Sequence, residues 1–286
     1  MKKLFLVLVL LVMLISFSCT KQNKTIKDMV NREVAIKDDA EKVVCLIPGL
    51  VEWINKLSLQ DRLVGIGTDC KGIEGTEKVP VVGSFFGLDT NALKEIKPDY
   101  VFAMTTLDKE LWQWLKDNEI SLVLFAYPTK IEDTYEALSL MGEIFGEKEK
   151  TDKAIKEYQQ QIKAITAQNT TQKPKGYFSI RFNDRLGEDV VASGSHIIGN
   201  LLELSGIDNV AKNNGDMIFH RDSIVNTDPE YIFMDERMVE AFANTPPYSS
   251  LSATKNNKLV GMDMNLFTAY TPKYIIAIKI MSSAVK

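Results

Sequence analysis

The sequence contains few of the residues from which metal sites and catalytic sites are usually built. Only two of its 286 residues are histidine, His196 and His220, which is too few for the imidazole cages that hold free zinc or manganese. It has neither of the usual glycine-rich phosphate loops, and the residues around Ser195 lack the G-x-S-x-G frame of a serine nucleophile. The net charge of −4 argues against a nucleic-acid-binding protein. We therefore expect no catalytic residues, no resident metal and no cofactor.

The one long apolar run lies at the N-terminus. Two lysines at positions 2–3 precede an uninterrupted apolar stretch over residues 4–15. This stretch is shorter than the roughly 20 residues that span a bilayer, and it matches a secretory signal. Ser16, Phe17 and Ser18 follow this stretch, and a small residue directly before Cys19 resembles a bacterial lipoprotein processing site. We predict that residues 1–19 are a lipoprotein signal, with Cys19 lipidated as the first mature residue, and that residues 20–25 form a tether. Plain cleavage and an uncleaved anchor are the alternatives.

Two further cysteines, Cys45 and Cys70, follow strand-like segments. Export of the protein makes a disulfide between them chemically possible. We favour two separate thiols, and the sequence leaves both states open.

A polar segment near the middle of the chain is predicted to be a single long helix. Residues 147–167 contain charges at nearly every turn and neither glycine nor proline. A narrow apolar line recurs at steps of three and four residues, so one face can rest on other parts of the protein while the rest stays in water. This line consists of Ala154, Tyr158, Ile162 and Ile165.

The same sequence pattern occurs once on each side of this helix. Residues 93–104 and residues 224–234 both contain a helix end, a proline-acid break and a short apolar strand. Proline cannot continue a helix, and the residue before it is pushed towards extended geometry, so Pro98 and Pro229 force the break. The repeat indicates two related lobes.

Strands and helices alternate along most of the chain, which is typical of a parallel sheet with helices on both faces. We predict an α/β fold of two Rossmann-like lobes with parallel-rich central sheets and a ligand cleft between them. The expected boundaries are residues 26–146 for the N-terminal lobe, 147–169 for the linker helix and 170–286 for the C-terminal lobe.

Candidate ligand-binding residues follow the predicted strands, because ligands of open α/β sheets bind outside the carboxyl ends of the strands. Adjacent Phe85 and Phe86 lie in a glycine-flanked loop, where two large rings are unlike core residues. Arg181 is suited to pair with an anionic ligand, and a surface salt bridge is its alternative. The candidates are Phe85, Phe86, Tyr127, Arg181, Phe182, Phe267 and Tyr270.

Two acids stand near predicted helix starts, where the helix dipole favours a carboxylate. Glu52 lies beside Trp53, and Asp222 precedes the second repeat. Taken alone, these positions indicate nothing beyond helix initiation.

Three motifs in order make the chain resemble a known family. They are a strand followed by Pro and Glu in residues 43–52, a pattern in residues 91–101 that contains Ile96-Lys97-Pro98-Asp99 and has Asn91 where Glu is usual, and a motif in residues 194–209 that begins with Gly and ends with Asn. From about Thr25 to the C-terminus, the chain is similar to the bacterial substrate-binding lipoproteins of ABC importers that take up ferric siderophores, haem and cobalamin.

The resemblance implies partners and roles. Glu52 and Asp222 fall on the positions at which family members dock on arginines of the membrane permease, although Glu is usual at the second. The expected partners are an ABC permease with its ATPase, a small-molecule metal chelate and the membrane through the lipid anchor. We expect a monomer that is exported and held at the membrane, in the periplasm or at the cell surface.

The resemblance also implies the kind of ligand. We favour a ferric siderophore, with Arg181 and Lys273 facing its negative charge, over cobalamin or haem. Lys273 stands where the family's closing motif has arginine. One stiff linker helix is a poor hinge, so we expect a modest closure of the lobes.

Two hypotheses from other functional classes remain open. A metalloenzyme of the nitrogenase or chelatase type has a similar two-lobe plan, but it needs Cys or His ligands in the cleft. A surface adhesin or scaffold without a ligand is the other.

Overall fold

The computed structural model describes residues 24–37, 41–84, 86–104, 108–182, 187–215 and 217–286. The predicted signal sequence with Cys19, most of the predicted tether and Phe85 lie outside the described residues. No helix in the described part of the chain is long and apolar enough to cross a membrane.

A parallel sheet with flanking helices forms the N-terminal lobe. The strands of this lobe are β1 (Thr25–Lys27), β2 (Glu33–Ala35), β3 (Val43–Cys45), β4 (Leu63–Ile66), β5 (Gly83–Ser84), β6 (Gly87–Leu88), β7 (Tyr100–Met104) and β8 (Ser121–Phe125). Its helices are α1 (Pro48–Lys56), α2 (Thr90–Ile96), α3 (Lys109–Asp117) and α4 (Ile131–Phe145). The strand order is β4-β3-β7-β8, all parallel. Every residue of β3 and β7 is buried, which is why these strands are continuously apolar.

The C-terminal lobe follows a helix that connects the two lobes. This linker is α5 (Lys148–Thr166), and the remaining helices are α6 (Ile197–Leu204), α7 (Arg221–Thr227), α8 (Val239–Asn244), α9 (Ser252–Lys255) and α10 (Tyr274–Ala284). The strands are β9 (Lys175–Arg181), β10 (Glu188–Val191), β11 (Asp208–Asn209), β12 (Ile218–His220), β13 (Tyr231–Asp235) and β14 (Leu259–Met262). The sheet order is β12-β10-β9-β13-β14, with β11 alongside β9.

This second sheet is mixed. Strands β9, β13 and β14 run parallel, whereas β10 is antiparallel to both of its neighbours, β9 and β12. The prediction of an α/β fold with parallel-rich sheets in two lobes is confirmed.

The linker helix rests on both lobes through its narrow apolar face. Tyr158 and Ile162 are buried, and most of the other side chains of α5 are at least partly in water. The ring of Tyr158 meets Trp53 of α1 edge-on, with ring centroids 5.2 Å apart. The helix therefore serves as a packed strut and not as a free spacer.

A single hydrophobic cluster extends across both lobes. It contains Trp53 of the N-terminal lobe, Tyr158 of the linker, and Phe178 and Ile278 of the C-terminal lobe. Lobes that share a core resist independent movement, so the expected modest closure stays a prediction that this packing supports.

Candidate ligand-binding site

A cavity of about 860 Å³ lies between the two lobes. It is bordered by the residues that follow β3, β4 and β14, the carboxyl ends at which ligands bind in open α/β sheets. Its volume lies within the usual range for small-molecule sites. The N-terminal lobe contributes Pro48, Glu52, Asn55, Lys56, Ser58, Gln60, Asp69, Lys71, Gly72, Ile73, Glu74 and Gly75, and the C-terminal lobe contributes Asp263, Asn265, Thr268, Pro272 and Lys273.

The cavity wall combines charges of both signs with neutral hydrogen-bonding groups. Its carboxylates are Glu52, Asp69, Glu74 and Asp263, and its ammonium groups are Lys56, Lys71 and Lys273. None of the lining side chains within the described residues is aromatic. Such a wall is suited to hydrogen-bond a polar molecule of low net charge.

An aromatic side chain stands beside this wall on a small hairpin. Strands β5 and β6 pair antiparallel, and Phe86 lies in the turn between them. The hydroxyl of Thr68 donates to the carbonyl of Gly83 at 2.9 Å, which fixes the hairpin to the turn that follows β4 and precedes Asp69. The Phe86 side chain is 100% exposed. The ring of Phe86 is open to solvent, and its role as a ligand contact stays a prediction.

Tyr127 and Arg181 also lie at strand ends on the surface. Tyr127 follows β8 and is exposed, and the preceding carbonyl, that of Ala126, accepts a hydrogen bond from the hydroxyl of Tyr270 in the other lobe. Arg181 ends β9 and is exposed. It has no ion pair with any residue that the structure describes. Their roles as ligand contacts stay predictions.

Burial corrects two of the predicted wall residues. Phe267 packs edge-on against Phe178, with centroids 5.1 Å apart, and belongs to the shared core. Tyr270 is completely buried, beside Phe125. Both rings are enclosed by protein, so they serve packing and have no free face for a ligand.

Phe182 occupies an intermediate position. It is half-buried and lies edge-on to Phe242 and Tyr248, at 5.2 and 5.5 Å. It contributes to a second, smaller core cluster of the C-terminal lobe, and only its remaining exposed edge is available to a ligand.

Arg237, two residues after β13, is not among the residues predicted from the sequence. Its guanidinium is 80% exposed and donates two hydrogen bonds from Nε to Asp235, at 2.9 and 3.1 Å. These hydrogen bonds lower the pKa of the Asp235 carboxyl to about 2. The charge of Asp263, a cavity residue, also acts on Arg237. Its position two residues after a strand is the only indication of Arg237 in the sequence. The helical pattern of the residues that follow makes this position look like the start of a helix.

The two predicted docking acids differ in their surroundings. One carboxylate oxygen of Glu52 accepts from the hydroxyl of Thr271 and the other from the ammonium of Lys273, and the side chain is only 11% exposed. Asp222 lies in the first turn of α7 and is exposed. Its neighbour Arg221 donates to the hydroxyl of Tyr248 at 3.2 Å, which fixes the start of this helix.

Comparison with known proteins decides the family. The family model described as periplasmic binding protein matches residues 43–266. The chain belongs to the periplasmic binding protein family. It is the substrate-binding component of an ABC importer and not an enzyme. The metalloenzyme reading is therefore wrong, and so is that of an adhesin without a ligand.

Individual relatives in this family are distant in sequence but similar in fold. The chain is 23% identical over 267 residues to the uncharacterised ABC transporter substrate-binding lipoprotein YvrC of Bacillus subtilis, which covers 91% of this chain and 85% of that protein. The periplasmic haem-binding protein HutB of Vibrio cholerae superposes with a TM-score of 0.76 at 17% identity, over 85% of this chain and 98% of that one. A structure described as an ABC-type Fe³⁺-hydroxamate transport system of Saccharomonospora viridis gives 0.72 at 16%, over 92% and 99%.

The two internal cysteines are free thiols in the core. Cys45 and Cys70 are both completely buried. Burial raises the pKa of both, that of Cys70 to about 12. Protonated buried thiols are poor metal ligands. No group of three His, Cys, Asp or Glu side chains in the described ranges is arranged to hold a metal ion.

Proposed function

We propose that this protein captures a ferric siderophore of low net charge in the interlobe cavity and delivers it to a membrane permease and its ATPase. The observation that supports this most is the balance of charge around the cavity. The lining residues in the described part of the chain include four carboxylates and three ammonium groups. A wall of this kind offers hydrogen bonds without an excess of either sign.

The siderophore class follows from the same balance. The resemblance implies that Lys273 faces the negative charge of the ligand, but its ammonium is paired with Glu52. A trianionic ferric catecholate would then bring its charge close to several carboxylates with little compensation. A ferric hydroxamate has neutral or weakly charged complexes rich in carbonyl and amide groups, which match amide and hydroxyl donors such as Asn55, Asn265 and Thr268.

Cobalamin is the second candidate. Its corrin ring has a broad, largely apolar face and an amide-rich edge, and the fully exposed ring of Phe86 beside a polar cavity suits both parts. Haem is less well suited, because haem proteins usually supply an axial His, Cys, Met or Tyr. None of these types lines the cavity within the described residues.

Anchoring and docking complete the proposal. Lipidation of Cys19 would tether a monomer to the membrane by the chain that precedes β1, in the periplasm or at the cell surface. Asp222 and Glu52, one on each lobe, would meet basic residues of the permease. The resemblance in sequence and the exposure of Asp222 support this arrangement.

The test is calorimetric titration of the soluble chain that begins after Cys19. Its ligands are ferrioxamine B as the hydroxamate, ferric enterobactin as the catecholate, cobalamin and haemin. We expect saturable binding of the hydroxamate and at least tenfold weaker binding of the catecholate, a difference of about 1.4 kcal/mol or more, because the carboxylates of the wall repel a trianion. Preference for the catecholate would contradict the argument from charge. Binding of cobalamin alone would establish the second candidate.

A further inference from the structure

A second cavity, of about 530 Å³, lies at the opposite end of the N-terminal sheet from the ligand cavity. It is bordered by the residues that directly precede β7 and β8, and its apolar floor consists of Leu93, Pro98 and Ile120, all buried. Parallel strands point in one direction, so their amino ends share one edge of the sheet. The length of the strands therefore separates the two cavities, and one ligand cannot occupy both.

An indole and two exposed ammonium groups stand above this floor. Trp114 is half-buried, and the ammonium of Lys94 lies 5.8 Å from the centroid of its ring. Lys94 and Lys97 are both exposed and line the cavity. Neither lysine forms an ion pair with any residue that the structure describes. Their charges are thus available to a partner outside the chain.

The carboxylates of this cavity wall do not cancel those charges. In the described part of the chain they are Asp99 and Glu119. Asp99 accepts the backbone N–H groups of Glu41 and Lys42, both at 3.0 Å, and the ammonium of Lys37 lies 3.7 Å from its other oxygen. Asp99 is therefore neutralised within the protein. Glu119 is exposed and leaves an excess of positive charge at the wall.

The position of the two lysines on a helix is not by itself evidence for a ligand. Lys94 stands in the last turn of α2, and Lys97 is the residue that caps its carboxyl end. Lysine is common there because it complements the negative end of the helix dipole. The dipole requires neither an apolar cavity nor an indole, however. Tryptophan beside lysines is the combination that occurs where proteins meet the headgroups of a bilayer.

The segment that precedes the fold enters it beside this cavity. The N–H of Ile36 donates to the carbonyl of Lys24 at 2.7 Å, and the next residue, Lys37, lines the cavity. The backbone N–H of Lys37 donates to the hydroxyl of Tyr100 at 2.9 Å, which fixes this end of the hairpin to the start of β7. Lys24 is five residues from Cys19, and five extended residues span at most about 18 Å. A lipid on Cys19 therefore keeps the cavity close to the bilayer.

We propose that the end of the N-terminal lobe formed by Lys37, Lys94, Lys97 and Trp114 is a membrane face, whose cavity receives the phosphate headgroup of an anionic lipid. This inference rests on the anchoring part of the proposed function. Trp114 lies at the level of the headgroups, and the two free ammonium groups meet the phosphate. The ligand cavity, at the other end of the same strands, then opens away from the bilayer, in the orientation for capture.

The strength of this contact distinguishes a lipid from a soluble phosphate ester. One lysine near an anionic bilayer strengthens binding only about fivefold, so a dilute phosphate ester gains too little to occupy the cavity. A tethered lobe meets headgroups at high local concentration, and weak attraction is then sufficient. The same weakness lets the membrane face leave the bilayer when the protein docks on a permease.

The experiment replaces the natural anchor with a chemical one. The chain that begins at Cys19 is coupled through this thiol to a maleimide lipid in vesicles. Cys45 and Cys70 are completely buried and do not compete. Vesicles of phosphatidylglycerol, which is anionic, are compared with vesicles of phosphatidylcholine, which is not.

Contact with the bilayer is read from the fluorescence of Trp114. A small fraction of lipids with a nitroxide on the headgroup quenches tryptophan at short range. All chains contain Trp112→Phe, so that the remaining tryptophans are Trp114 and the completely buried Trp53. Circular dichroism and thermal unfolding verify that each chain is folded.

The test variant is the double substitution Lys94→Gln with Lys97→Gln. Its matched control is Lys153→Gln with Lys156→Gln, two exposed lysines at the same spacing on the linker helix. We expect strong quenching on phosphatidylglycerol and little on phosphatidylcholine. The test variant should lower the ratio of membrane-bound to free lobes about twentyfold, a factor of about five for each lysine, and the control should not change it.

Three results overturn the membrane face and leave capture and delivery intact. They are equal quenching on the two kinds of vesicle, unchanged quenching in the folded test variant, and loss of quenching in 1 mM glycerol 1-phosphate. The last result would assign the cavity to a soluble phosphate ester. Failure of cells to incorporate labelled palmitate into the protein at Cys19 overturns the anchor, and with it both this inference and that part of the proposed function.

Discussion

The indole nitrogen of Trp53 donates a hydrogen bond to the carbonyl oxygen of Tyr270 across 217 positions of sequence. Both side chains are completely buried. The bond joins the first helix of the N-terminal lobe to the last connection of the C-terminal lobe. The contact between the lobes is therefore part of the hydrophobic core, and backbone and side-chain atoms of the two lobes pack closely against one another.

Substitution of Gly49 tests how tightly the two lobes pack at this contact. A Cβ at this position would lie 2.2 Å from the carbonyl oxygen of Ala269 and 2.4 Å from the nitrogen of Thr271. Backbone atoms cannot yield as a side chain does, so we expect Gly49→Ala to lower the free energy of unfolding by about 3 kcal/mol. Urea denaturation measures it. Gly87→Ala is the control, because a Cβ there meets nothing within 4 Å. Equal stability of the two variants would show that the lobes are not tightly packed at Gly49.

Phe86 is the clearest candidate for a contact with ligand. We expect Phe86→Ala to weaken binding of ferrioxamine B or cobalamin by about tenfold, since loss of an aromatic contact costs about 1.5 kcal/mol. Stability should not change, because the ring is fully exposed. Ile276→Ala removes an exposed apolar side chain from α10 and is the control. Calorimetric titration that gives the same affinity for both variants would remove Phe86 from the site.

Asp222 is the more exposed of the two predicted docking acids. We expect Asp222→Asn to leave ligand affinity unchanged and to lower uptake by cells several-fold, as loss of an exposed interfacial charge lowers the rate of association. Glu149→Gln, an exposed acid in the first turn of the linker helix, is the control. Uptake of radiolabelled ferric chelate measures the effect. Normal uptake in Asp222→Asn would end the assignment.

The pair of Asp235 and Arg237 predicts a dependence on pH. Hydrogen bonds from Arg237 lower the pKa of Asp235 from 3.8 to about 2 in the folded protein. A depressed pKa in the folded state means that the pair stabilises the protein above pH 3.8 and that this contribution is lost as the pH falls towards 2. Arg237→Gln should thus unfold at lower temperature than wild type at pH 7, with the difference vanishing near pH 2. A difference that persists in acid would assign the effect to packing.

The thiols of Cys45 and Cys70 predict a difference between the folded and unfolded chain. Both are completely buried, and burial raises the pKa of each. In the chain that begins after Cys19, we expect neither thiol to react with Ellman's reagent at pH 8, and both to react in guanidinium chloride. Rapid reaction of the native protein would mean that the strand ends open readily to solvent.

The sequence predicts the framework of the fold because the framework depends on local patterns. Continuous apolar segments such as residues 43–45 and 100–104 are typical of strands covered on both faces, and they occupy the centre of the first sheet. The antiparallel strands β10 and β12 were not predicted. They are short and partly exposed, with β12 at the edge of the second sheet and β10 next to it, and their sequences have no strong alternation.

The candidate site was harder to predict, because aromatic residues in the loops after strands have opposite surroundings. Phe86 and Tyr270 both follow strands, yet one is fully exposed and the other fully buried. The burial of Tyr270 depends on Phe125 and Ala126 of the other lobe, and the pairing of Glu52 depends on Lys273. Contacts at such separations leave no local pattern in the sequence.

The contact between α1 and the closing segment also bears on when the protein can fold. A chain is synthesised and exported from its N-terminus, so α1 emerges long before Tyr270, its hydrogen-bond acceptor. A chain that ends at residue 260 lacks that segment and α10, and should melt without a cooperative transition in calorimetry. We therefore expect the N-terminal lobe to reach its final packing only once residues 269–271 can pack against α1. For a chain that its N-terminal sequence predicts to be exported, this order of folding would favour passage through an export channel before the lobes are complete.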